Sequence, residues 1–103
     1  MAMITKVSAK SVLGDVPEDR WFLCSDGLVL KNLRELETAL KKMSADTYHH
    51  HANDSNNDFS NWIKDVIGDD KLADALRNNG TQSEAAKTVA GRISWLKSKM
   101  IGK

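Results

Sequence analysis

The apolar positions of this chain fall into short helical periods, broken once by two runs that read as strands. In "NNDFSNWIKDVIGDD" (residues 56–70), Phe59, Trp62, Ile63, Val66 and Ile67 recur at the spacing of one helix face. Asn56 or Asn57 is placed to cap that helix, Asp58 sits where a carboxylate favours the positive end of the helix dipole, and Gly68 stops it. Asp69 then caps a shorter helix with Leu72, Ala73 and Leu76 inward, ended by Asn79 and Gly80. Upstream, Asn32 and Glu35 have the spacing of a capping box, and Leu33, Leu36, Leu40 and Met43 give an amphipathic helix over 33–43. Ser44 closes it and opens a short helix over 45–52, with Tyr48 inward. "TQSE" (81–84) is a second capping box, starting a last helix over about 82–101.

"WFLCSDGLVL" (21–30) places two apolar runs on either side of Asp26-Gly27, a dipeptide suited to the positive φ of a tight hairpin turn. The runs are almost continuously apolar, which predicts burial on both faces. Because an isolated hairpin is marginal in water, the strands are expected to pack on helices or to pair with the N-terminal "MITKV". Before residue 20, Ser8 is expected to cap a single turn over Ala9–Leu13, ended by Gly14, with Pro17 enforcing an extended exit. The predicted fold is mainly α (α+β): four to five helices with one short β-hairpin, in a single domain over residues 1–103.

The motifs "DGLVLKNLRELETAL", His51 with Asn53, "NDFSNWIKDVIGD" and "LADAL" together resemble a family of small, functionally uncharacterised domains found mainly in archaea and some bacteria. The likeness covers about residues 12–77, is most specific in "NDFxNWIxDVxGD", and leaves the last helix outside. It implies a compact microbial domain of archaeal type and supplies no catalytic residues.

Charge changes the picture at one end. The net charge is only +1, yet residues 1–81 hold ten Lys/Arg against thirteen Asp/Glu, whereas 82–103 hold five against one. Any basic surface is therefore C-terminal. The single cysteine, Cys24, excludes an internal disulfide, and no segment approaches the roughly 20 apolar residues that span a bilayer. With no signal-peptide pattern at the start, a cytoplasmic protein without membrane contact is expected.

Candidate chemistry is sparse. His49, His50 and His51 beside Asp54 and Asp58 suggest a metal, but consecutive helical side chains point about 100° apart and cannot converge on one ion. His51 is expected as a buried or capping hydrogen-bond partner, with the other two solvated. Cys24 lies in an apolar run without a nucleophile signature, and Asp65, Asp69 and Asp70 read as helix caps rather than an acid–base pair. No glycine loop cradles phosphate. The expectation is therefore a protein that is not an enzyme and holds no cofactor and no metal.

The last helix carries the remaining signal. Ala85, Val89, Ile93, Leu96 and Met100 form its inner stripe, flanked by Ala86 and Ala90, while Trp95 falls near the opposite side among Gly91, Arg92 and Lys99. Aromatic residues and Arg anchor interfaces, so Arg92, Trp95 and Lys99 form a candidate protein-binding patch. The alternative partner is RNA or DNA, with Lys87, Arg92, Lys97, Lys99 and Lys103 on phosphate and Trp95 stacked on a base. A plainer reading has Trp95 cover the hairpin or a short helix with Arg92 along it. Self-association into a homodimer through the same ridge is a further alternative. Trp21 and Trp62, each within an apolar run, are expected in the core.

Overall fold

A computed structural model describes residues 6–53, 55–78 and 81–100, with Lys6 to Ser8 and Met100 described in backbone only. Along the chain run α1 (Lys6–Leu13), a 3-10 turn (Glu18–Arg20), β1 (Phe22–Leu23), β2 (Val29–Leu30), α2 (Leu33–Lys42), α3 (Ala45–His51), α4 (Asp58–Trp62), a π-helical turn (Ile63–Ile67), α5 (Asp70–Arg77) and α6 (Gln82–Met100). The fold is mainly α with one antiparallel hairpin. Among the described residues there are six α-helices, one more than the sequence reading allows, because the expected turn at Ala9 grows into a full helix. It begins at Lys6, so Ser8 is an interior residue and not its cap.

One hydrophobic cluster joins every α-helix to the hairpin. The 19-residue α6 packs along α1, α2 and α5 through Ala85, Val89, Ile93 and Leu96, all buried. Local caps set the entries as expected: Asn32 accepts from the Glu35 N–H, Ser44 from Thr47, Asn57 from Ser60, and Thr81 from Glu84. In the first box Glu35 reaches one residue further back than expected and accepts from the Lys31 N–H at 2.8 Å. Helix exits are closed from a distance. The Gln82 amide donates to the Leu40 and Met43 carbonyls at the end of α2, and Asn57 donates to the Leu76 carbonyl of α5.

The hairpin departs from expectation in two ways. The turn is not a two-residue one: Gly27 N–H donates to the Cys24 carbonyl, Cys24 N–H to the Leu28 carbonyl, and only Gly27 takes positive φ, at 93°. This is a three-residue loop with a glycine bulge, which lets Asp26 keep an ordinary backbone angle. Burial is also one-sided. Phe22 and Leu30 face the core, whereas Leu23 is 69% and Val29 38% exposed, because nothing among the described residues covers the outer face. The strands pack on helices; the "MITKV" pairing concerns residues largely outside the described ones.

The apolar stripe of 56–70 changes pitch midway. Phe59, Trp62 and Ile63 are buried, but the Gly68 N–H bonds back five residues to the Ile63 carbonyl at 2.7 Å, widening the turn. Val66 and Ile67 are thereby rotated off the buried line and end only half-buried. Gly68, at φ 87°, stops the element as expected. α5 ends at Arg77, so a stop at Asn79 and Gly80 lies outside the described residues.

Candidate functional site

The polar residues of the region 44–70 converge on hydrogen bonds that hold elements together. His51 is buried at the end of α3, its ring against Phe22 and Phe59 at centroid distances of 5.1 and 5.4 Å. Its Nε2 lies 3.0 Å from the Ser25 backbone N–H, and its Nδ1 3.0 Å from an Asp58 carboxylate oxygen. A backbone N–H can only donate, so Nε2 is the unprotonated acceptor and Nδ1–H donates to Asp58. The imidazole thus ties the hairpin loop to α3 and α4.

Ser25, His51 and Asp58 have the residue types of a hydrolytic triad, a juxtaposition that sequence spacing does not reveal. The geometry uses them otherwise. The nitrogen that would take a proton from a hydroxyl is engaged by an amide N–H. Burial, and secondarily the charge of Asp26, push the adjacent Cys24 thiol up to about 11, away from the thiolate a nucleophile needs. His49 and His50 are exposed, so the three histidines do not share a focus. Asp54 is outside the described residues. Asp65 and Asp70 are exposed, the latter in the first turn of α5.

Asp69 does more than cap. Its carboxylate accepts from the Leu72 N–H and, while buried, pairs with Arg92 of α6 at 2.7 Å to Nε and 2.9 Å to a terminal nitrogen. This bidentate contact locks α5 to α6. Arg92 is therefore turned inward by its hydrogen-bonding edge, while its guanidinium carbon lies over the Trp95 ring, 4.4 Å from the centroid. Lys99 approaches the same ring at 5.0 Å. An indole between two cations is the arrangement the spacing predicted.

Trp95 remains 39% exposed. It borders a groove of about 300 Å³ between α5 and α6, with Leu72, Ala75 and Gly91 as its apolar lining and Lys71 beside them. Thus Trp95 both lines a groove with the neighbouring short helix α5 and stays partly open to solvent. The other tryptophans differ. Trp62 is buried and donates to the Arg20 carbonyl at 2.8 Å. Trp21, expected in the core, is only half-buried, because its indole donates to the Val16 carbonyl at the rim and Lys31 lies over its face. Lys87 and Lys97 are exposed along α6, and Lys103 and the Met100 side chain lie outside the described residues.

No protein-family model, curated protein or solved structure matches the chain. Among the described residues no helix is long and apolar enough to cross a membrane.

Proposed function

We propose that this is a non-catalytic binding domain whose α6 ridge docks another protein, with Trp95 as the anchor. The observation that carries the reading is a tryptophan left 39% exposed beside an apolar groove and held in place by two cations. A ring fixed before binding loses little conformational freedom on docking, which favours an anchor role. Lys99 and Lys71 then favour a partner surface that brings carboxylates to an apolar contact. Arg92 acts in this reading as the residue that positions Trp95.

Protein is favoured over nucleic acid because Arg92, one of the five C-terminal cations, is neutralised by Asp69 and offers less to phosphate. The His51 geometry and the protonated Cys24 thiol support a non-enzymatic role. A cytoplasmic, archaeal setting and membership of the "NDFxNWIxDVxGD" family belong to the same proposal.

The test is affinity capture with wild-type and Trp95→Ala proteins from cells of the source organism, followed by titration of the purified captured protein. Loss of the captured species with the variant, at unchanged unfolding midpoint, supports the ridge. Equal capture by both rejects it, and capture of RNA or DNA with steep salt dependence selects the nucleic-acid alternative.

A further inference from the structure

Among the described residues the outer edge of β2 is only half satisfied. Because the Cys24 N–H bonds to Leu28, ladder alternation makes Phe22 and Leu30 the hydrogen-bonded pair. Leu23 and Val29 are then the non-hydrogen-bonded pair, with their N–H and C=O groups directed away from each other's strand. The next residue with outward-directed backbone groups, Lys31 just past β2, is closed off: its carbonyl accepts from the Val16 N–H at 2.8 Å and its N–H donates to Glu35. Val29 has no such partner among the described residues.

Beside Val29 lies a second groove, about 530 Å³, between β2 and α2, sharing no lining residue with the Trp95 groove. Leu28, Val29 and Ala39 contribute its apolar surface. Arg34 and Lys42 also line it, both exposed and in no ion pair among the described residues. Its one acid, Glu35, is committed to the Lys31 N–H. Among the described residues the site therefore offers a free backbone donor–acceptor pair, an apolar surface and two uncompensated cations.

We propose that this groove binds an extended peptide segment of a partner protein, which adds as a third strand on Val29 and brings carboxylates to Arg34 and Lys42. The two cations stand eight helical positions apart, about 12 Å at 1.5 Å per residue. An extended peptide covers that span in about four residues and returns to the same face at every second one, so the acids belong at positions i and i+4. Main-chain pairing supplies attachment, and the side chains supply selection. A second copy of this chain fits less well: its edge at Val29 repeats the same two cations, and near its other edge, at Leu23, the nearest acid in sequence, Asp26, already accepts from the Leu28 N–H.

The probe is a displayed library of random twelve-residue peptides, panned against the wild-type chain and the Arg34→Glu/Lys42→Glu variant. Expected is enrichment of peptides with two acids four residues apart around β-branched residues, with a perturbed Val29 amide in NMR spectra of the synthetic peptide complex. The double variant should bind that peptide at least about tenfold more weakly, while Trp95→Ala leaves affinity unchanged and so separates this groove from the α6 ridge. No enrichment over a blank surface, affinity indifferent to the charge reversal, or perturbation centred away from Val29 overturns the proposal. Concentration-dependent dimerisation that perturbs Val29 without peptide assigns the edge to a second copy and equally overturns it.

Discussion

The smallest unit that decides how this molecule works is a single imidazole. His51 spends both nitrogens on structure, one on the Ser25 N–H and one on Asp58. Replacing it with Ala removes the partner of the Ser25 N–H and of one Asp58 oxygen and empties the buried space beside Phe22 and Phe59, so His51→Ala is expected to lower the unfolding free energy by about 1–3 kcal/mol in a urea titration. An unchanged midpoint would remove the staple from the account. Cys24 gives a pH test. Its folded value is about 11 against 9.0 for an ordinary thiol, so the folded state holds the proton more tightly. That contribution is fully present below pH 9 and is lost as pH rises through 11. Cys24→Ala should flatten this part of the alkaline stability loss, and the native thiol should resist a disulfide reagent at pH 8 until the chain unfolds. Residue roles that act within three positions were legible in the sequence: Asn32, Ser44, Asn57 and Thr81 all cap as expected. The Ser25–His51 and Trp62–Arg20 bonds span 26 and 42 positions, and local pattern carries no trace of such partners.

At the level of elements, the π turn, Gly68 and Asp69 act as one device that ends α4 and delivers a carboxylate to α6. Periodicity predicted a single continuous stripe over Phe59–Ile67 because it counts 3.6 residues per turn, and the widened turn breaks that count. It likewise predicted a hairpin buried on both faces, since apolar composition does not say whether a layer lies above it. The Asp69–Arg92 contact joins residues 23 positions apart and was hidden for the same nonlocal reason, although Arg92 itself was picked out. Removing either partner leaves an unpaired, largely buried charge. Arg92→Ala and Asp69→Ala are each expected to cost about 3–5 kcal/mol, and the double variant much less than their sum. Additive losses in denaturant titrations would show that the two groups are uncoupled. Gly91 separates helix stability from binding: a Cβ there meets nothing within 4 Å. Gly91→Ala should raise stability by about 0.5–1 kcal/mol while narrowing the groove beside Trp95, so partner affinity should fall as the thermal midpoint rises.

For the molecule as a whole, one core underlies every α-helix and the hairpin, and among the described residues two separate surfaces stand open: the α6 ridge at Trp95 and the apolar outer side of the hairpin. The fold class and most helix positions followed from hydrophobic spacing, because a chain this small must turn each amphipathic face inward. The ridge was also legible, as a large side chain out of phase with its helix; the hairpin groove was not, because it arises only when β2 is laid beside α2. The proposed division of labour is that polar residues over 44–70 hold the scaffold while α6 presents the contact. Its most direct test is the dissociation constant of the captured partner protein, measured by calorimetry for wild-type, His51→Ala and Trp95→Ala chains at a temperature where all three are folded. Expected is a loss of at least about 30-fold for Trp95→Ala, corresponding to roughly 2 kcal/mol, with His51→Ala binding within twofold of wild type. Equal affinity for wild type and Trp95→Ala, or a loss confined to His51→Ala, would contradict it.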